Sequence, residues 1–254
     1  MHKIIEKHDY SNDFFDYINA GSLASARVVA PIVFSWLHPE SLLDVGCGAG
    51  AWCKIWSECG IGDHVTGTDG NYVDRAHLLI PPESFHAQDL TQPFDLNLRF
   101  DLVTSLEVAE HIPEQFADVF VDNLVKHGDV VLFSAAVPGQ GGEFHVNEQP
   151  LGYWRKKFAA RAYRCFDPIR PRIAASKKVE PWYRYNTLLY IRDTAVKNLP
   201  QVILDTELTQ GRDIPDMAPL SWNIRNAVIR ILPSSVANQL VKFKHAWMRK
   251  RQRR

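Results

Sequence analysis

Three glycines at alternate positions, Gly46, Gly48 and Gly50, follow the run Leu42-Leu43-Asp44-Val45. A residue without Cβ takes positive φ and lets a ligand lie against bare backbone. The stretch reads as a strand over 41–45, a tight turn, and a helix over 51–58. The unpaired N–H groups and positive dipole end of that helix face whatever the turn holds. Two ligand patterns fit. Gly46, Gly48 and Ala51 satisfy the G-x-G-x-x-G/A dinucleotide fingerprint, and Asp44, Gly46, Gly48 and Gly50 satisfy D-x-G-x-G-x-G. Asp69 lies 23 residues beyond Gly46, where a carboxylate accepts two hydrogen bonds from a ribose diol. Asp69 therefore supports a nucleoside ligand under either pattern. Further on stand Asp89-Leu90, the string Glu107-x-x-Glu110-His111, and His145 in a glycine-containing loop.

The elements that would position these residues alternate along the chain. A helix is expected over 10–37, broken near Gly21 and bent or restarted at Pro31. Strands are expected over 41–45, 64–69, 85–90, 100–107 and 129–135, with helices over 51–58 and from Pro113 to about 125. A polar loop covers 137–149, and a helix over 151–161 presents Trp154 and Phe158 on one face. Two closing strands, 165–169 and 182–191, are expected on either side of a proline- and lysine-containing turn. Such alternation implies right-handed βαβ units and a parallel sheet covered on both faces. Ligands in these sheets bind beyond the carboxyl ends of the strands, the edge to which Asp44, the glycines, Asp69, Asp89 and 105–107 converge.

The set Asp44/Gly46/Gly48/Gly50, Asp69, Asp89-Leu90, Glu107-x-x-Glu110-His111 and Gly141-Gly142…His145-x-Asn147-Glu148 resembles the class I S-adenosylmethionine (SAM) dependent methyltransferases, over about 12–192. Bacterial proteins of that kind often serve polysaccharide and glycolipid synthesis. The resemblance implies a Rossmann-like, doubly wound, mostly parallel seven-stranded sheet in an α/β fold. It implies SAM bound through Asp44, Gly46, Gly48, Gly50, Asp69, Gly70, Asp89, Leu90, Leu106 and Glu107. Asp89 would accept from the adenine amino group, and Glu107 would line the methionine end. A helical cap over 1–38 precedes the SAM-binding domain, 39–194, and an extension with basic amphipathic helices, 195–254, follows it. Within the cap, Ser25 and Arg27 are in reach of the cofactor carboxylate, though surface or capping roles suit them better. Dinucleotide folds continue with a second βαβ half, and none is visible after residue 191, which decides for SAM over NAD.

The expected reaction is transfer of the sulfonium methyl to a small-molecule or glycan acceptor, at oxygen. The chemistry is an in-line displacement in which the protein mainly positions the reactants. An acceptor hydroxyl must lose a proton, and an imidazole, which titrates near neutrality, can take it. His145 and His111 are the candidates, against a loop-ordering role for the first and a capping role for the second. Some methyltransferases with E-x-x-E-H hold a divalent metal, for which Glu107, Glu110, His111 and His145 are the less favoured set. The rivals to the enzyme are a non-catalytic SAM-binding module tethered through its tail and an NAD-linked oxidoreductase.

The formal charge of zero hides an asymmetry. From 217 to 254 the chain has nine Lys and Arg and no acidic residue, while the rest carries 20 basic and 29 acidic residues. Ile224, Val228, Ile231 and Leu232 form one apolar stripe, and Val236, Leu240, Phe243 and Trp247 a second. Such segments suit a peripheral contact with an anionic membrane, with docking on the protein body as the alternative. No aromatic–basic platform for nucleic acid is evident. The polar start suits no secretory leader, and no unbroken apolar run long enough to span a bilayer is seen. Cys47, Cys53, Cys59 and Cys165 form no C-x-x-C pair, so a zinc site and a disulfide framework are not indicated. A reducing, cytoplasmic setting is expected, with the inner membrane face as its peripheral variant.

Overall fold

A computed structural model describes residues 12–209 and 211–231. In chain order the elements are α1 (Asn12–Leu37), β1 (Leu42–Val45), α2 (Ala51–Trp56), β2 (Val65–Asp69), β3 (Phe85–Ala87), β4 (Leu102–Leu106), α3 (Ala117–His127) and β5 (Val130–Ser134). There follow α4 (Leu151–Ala159), β6 (Tyr163–Phe166), α5 (Arg170–Ile173), α6 (Pro181–Asn186), β7 (Leu188–Arg192), α7 (Gln201–Leu204) and α8 (Leu220–Ile231). The seven strands form one sheet in the order β3-β2-β1-β4-β5-β7-β6. β1 through β5 run parallel, and β7 lies antiparallel between β5 and β6. This is the doubly wound, mostly parallel α/β architecture expected from the sequence.

Strand period explains the two-sided core. Successive side chains point to opposite faces. Leu42, Leu102, Leu132 and Leu189 join one cluster with α1 and α2, while Leu43, Val103, Val131, Phe133 and Tyr190 join the other with α3 and α4. β1 and β4, buried throughout, are neighbours although β2 and β3 intervene in sequence. The chain order reverses between them, so the connections that follow their carboxyl ends lead away in opposite directions and leave a crevice beyond the strands.

Several boundaries differ from expectation. α1 runs unbroken through Gly21 and contains Pro31. Its buried face, Ala26, Val29, Ala30 and Val33, belongs to the core cluster that includes Trp52 and Trp56 of α2, and that packing overrides weak local propensity. Within α1, Ala20–Leu37 is apolar and long enough to cross a membrane by composition, although no unbroken apolar run was visible. In the fold it is a core helix, interrupted by Ser22, Ser25 and Arg27. Ser25 is buried and accepts from the Glu180 amide at 3.0 Å, and Arg27 is exposed, so neither is placed as a carboxylate ligand. α2 stops at Trp56 and widens into a π turn, Ser57–Ile61, instead of continuing to 58 as an α-helix. The expected strand over 182–191 is helical up to Asn186, because Pro181 at the first helical position presets the required φ. The closing hairpin is accordingly short, β6 against β7. α8 covers Ile224, Val228 and Ile231 of the first predicted tail stripe, and Leu232 lies outside the described residues. The second stripe, 236–247, and the basic end lie outside the described residues.

Candidate functional site

The glycine turn lies at the carboxyl end of β1. Gly46 takes φ 82°, and a Cβ there would meet Val108 Cγ2 at 2.4 Å, so both backbone and neighbour demand glycine. Gly48 takes φ 54°, and a Cβ on it would meet nothing within 4 Å, so its backbone faces open space. Gly50 caps α2, whose first turn points its amides toward the same space. The Gly48 amide donates to Asp69 Oδ2 at 2.7 Å, and the Gly70 amide donates to Asp69 Oδ1 at 2.6 Å. One carboxylate at the end of β2 thus ties the turn after β1 to the turn after β2. The Tyr72 hydroxyl also donates to Asp69 Oδ1, at 2.5 Å. Burial raises the Asp69 pKa, against the lowering effect of these three donors.

Asp44 is placed beneath the turn, 3 % exposed. Thr104 Oγ1 donates to its Oδ1 at 2.5 Å, and the Cys53 thiol faces its Oδ2 at 3.6 Å. Burial pushes its carboxyl from 3.8 up to about 6, against the hydrogen bonds from Thr104 and Cys53. A carboxyl with a higher pKa in the folded state binds more protons than the unfolded chain between those values. Its stabilising effect is therefore complete below about pH 4 and is lost as pH rises through about 6. The loss amounts to about 3 kcal/mol at most. Asp44→Asn keeps the shape of the neutral acid, so its stability relative to wild type is expected to improve by roughly 2 kcal/mol between about pH 4 and pH 8. Urea unfolding of both proteins at the two pH values checks this, and a constant difference contradicts it.

On the other predicted cofactor residues, Asp89 is exposed and closes its own turn, its Oδ1 accepting from the Thr91 amide and hydroxyl at 2.9 and 2.7 Å. Leu90 is buried with Val45 and Phe94. Leu106 ends β4, 7 % exposed, and Glu107 follows in the left-handed region at φ 59°. The Glu107 carboxylate accepts from Gln140 Nε2 at 2.7 Å and faces Asn186 Nδ2 at 3.4 Å. Asn186 also donates to Gln140 Oε1 at 2.8 Å. Burial raises the Glu107 pKa, against bonds from Gln140 and Ser134 and the charge of His145.

The four residues considered for a metal are not brought together as one set. Glu110, His111 and His145 place ligand atoms within 4.8 Å of one another, whereas Glu107 is held by Gln140 and Asn186. Glu110 is 1 % exposed, its Oε2 has no hydrogen-bond partner among the described residues, and its Oε1 lies 3.9 Å from His145 Nε2. Burial, reinforced by the nearby charge of Glu107, raises its pKa well above the usual carboxylate range. His145 Nδ1 pairs with Glu148 Oε1 at 2.8 Å. The same Glu148 carboxylate accepts from the Gly139 and Gly141 amides, each at 2.7 Å. Burial would raise Glu148, but the bond and charge of His145, with those amides, bring it net below its ordinary value. His111 is exposed and meets the His145 ring edge-on, centroids 4.9 Å apart.

Gln140, Asn186, Glu148 and Tyr72 had no assigned role in the sequence. Gln140 and Glu148 sit in the loop singled out there, so polar residues within that loop were the available signal. Asn186 carried none, because its place at the crevice depends on α6 packing beside β5.

Comparison with known proteins agrees with this fold. A model of the methyltransferase domain family matches residues 13–135. The ubiquinone biosynthesis O-methyltransferase of Nitrobacter winogradskyi is 32% identical over 82 residues, 29% of this chain and 29% of that protein. Its counterpart in Rhodopseudomonas palustris is 30% identical over 89 residues, 32% of this chain and 33% of that one. The chain thus spans about a third of the length of the curated relatives it matches. Among solved structures, the sugar N-methyltransferase of Streptoalloteichus sp ATCC 53650 aligns with a TM-score of 0.55 at 16% identity, over 76% of this chain and 98% of that one. Magnesium protoporphyrin IX methyltransferase from Synechocystis PCC 6803, with bound SAM, aligns at 0.51 and 18% identity, over 73% and 86%. With the family match over β1 to β5 and the seven-stranded sheet, the chain carries a methyltransferase domain of the class I, SAM-dependent type.

Proposed function

We propose that this protein transfers the methyl group of SAM to a hydroxyl on a small-molecule or glycan acceptor. The observation that carries the reading is the paired turn, in which Asp69 binds the Gly48 and Gly70 amides beside a glycine backbone open to a ligand. The ribose diol takes the Asp69 carboxylate in place of Tyr72, and the sulfonium end runs toward Glu107. Methyl transfer from a sulfonium needs orientation more than activation, which the rigid β1/β4 crevice supplies. His145 takes the acceptor proton. With Nδ1–H donated to Glu148, its Nε2 is the accepting nitrogen. Assignment to oxygen is supported by the names of the O-methyltransferase relatives, at low identity and over a short stretch.

Labelled SAM with a panel of hydroxylated acceptors tests the reaction. His145→Ala is expected to lower turnover by roughly a hundredfold or more while S-adenosylhomocysteine (SAH) affinity holds within about twofold. Unchanged turnover removes His145 as base, and SAH bound without turnover on any acceptor favours a non-catalytic SAM-binding module.

A second reading has its own observation. The partnerless Glu110 Oε2, beside His111 and His145, fits a divalent cation with one carboxylate and two imidazole ligands. Such a cation would lower the pKa of an acceptor hydroxyl. Loss of turnover in EDTA, restored by one divalent metal, supports it, and full activity in EDTA rejects it.

A further inference from the structure

α8 is an amphipathic helix that leaves an aliphatic stripe exposed. Its inward side is mixed, with the half-buried Ile229 beside polar and aromatic residues. Arg225 Nη1 donates to the Gln140 carbonyl at 2.7 Å and lies over the Trp222 ring, which in turn meets Tyr185. Asn226 is buried, and its carbonyl is set against Gly139. Its outward residues include the large aliphatics Leu220, Ile224 and Val228, which are 75, 56 and 49 % exposed. At i, i+4 and i+8 they make a single stripe. The loop beneath α8, which supplies Gly139 and Gln140, also carries Phe144 and Val146, 43 and 63 % exposed.

We propose that this outward face of α8 docks on an anionic lipid bilayer and brings the loop that carries His145 to the lipid surface. Charge selects this occupant. Residues 217–254 hold nine Lys and Arg and no acidic residue. A second copy meeting the same face would set that positive charge against itself. The segment 232–254, laid on α8 through Val236, Leu240, Phe243 and Trp247, would cover the stripe but crowd its seven basic residues against Arg225 and Arg230. An anionic bilayer accepts the aliphatic stripe and neutralises the basic residues together. The proposal goes beyond the reading of the catalytic site and is tested without SAM or acceptor, so either can fail alone.

The test is co-sedimentation of the full chain with phosphatidylcholine vesicles, with and without phosphatidylglycerol. Binding is expected only where phosphatidylglycerol is present. The double variant Ile224→Glu/Val228→Glu is expected to lower it roughly tenfold or more, with an unchanged melting temperature and SAH affinity. Three results overturn the proposal. The first is no binding to phosphatidylglycerol vesicles. The second is binding that the double variant retains, which leaves the basic residues alone responsible. The third is a dimer that the double variant dissociates, which makes the occupant a second copy.

Discussion

Asp69→Asn is expected to weaken SAH binding about a hundredfold, with the affinity read by calorimetry. The carboxylate ties two backbone turns at once in the fold, through the Gly48 amide at Oδ2 and the Gly70 amide at Oδ1, where the Tyr72 hydroxyl also donates. An amide side chain offers one oxygen and one NH2. Whichever way it is turned, an N–H donor faces another donor, and one glycine turn loses its tie. The ribose hydroxyls also lose a charged acceptor, and hydrogen bonds to charged groups contribute about 1.5–3 kcal/mol each. An affinity within threefold of wild type would show that the nucleoside does not bind at Asp69, and the proposed function would go with it.

The largest loss of stability is expected from Arg170→Met. The Arg170 guanidinium is fully buried. It pairs with Asp167 through Nε at 3.0 Å and Nη2 at 2.8 Å, and Nη1 donates to the carbonyls of Tyr185 and Pro215, each at 3.1 Å. Methionine fills similar space but leaves a carboxylate and two carbonyls without a donor. Breaking one side of a buried pair costs about 3–5 kcal/mol, or roughly 10 °C in melting temperature for a chain of this size. Because the Pro215 carbonyl anchors the approach to α8, loosening of that helix is expected to accompany the loss. Arg170→Met/Asp167→Leu is expected to recover much of the stability, since no uncompensated charge then remains. Thermal melts of the three proteins decide it, and a single variant that melts like wild type contradicts the account.

Arg170 also shows where sequence reasoning stops. In Asp167-Pro168-Ile169-Arg170-Pro171-Arg172 it reads as one more basic residue in a proline-rich connection. Its burial follows from α5 and α6 folding back over the sheet end, which periodicity does not reveal. Trp182 to Asn186 is a related case. From Tyr183 on, aromatic and polar residues alternate at strand period, and the helix set by Pro181 prevails because it packs Tyr183 against Trp52. α1 runs through Gly21 and Pro31 for the same kind of reason, its apolar face lying against α2.

The local signals were strong where chemistry and backbone coincide. The D-x-G-x-G-x-G turn, the acid at the end of β2, and strand–helix alternation were legible because glycine at positive φ and period-2 burial act within a few residues. A doubly wound, mostly parallel seven-stranded sheet was implied by the family resemblance that those motifs carry, and its order, β3-β2-β1-β4-β5-β7-β6, came from the tertiary structure. Only the tertiary structure decided that Asp44 lies beneath the turn against Thr104, and that Glu107 sits with Gln140 and Asn186 while Glu110 joins the two histidines. It also decided that α8 turns its aliphatic stripe outward. Each of these depends on residues dozens of positions apart meeting across packed layers, and burial, which sets their protonation and exposure, is a property of that meeting and of no single stretch of chain.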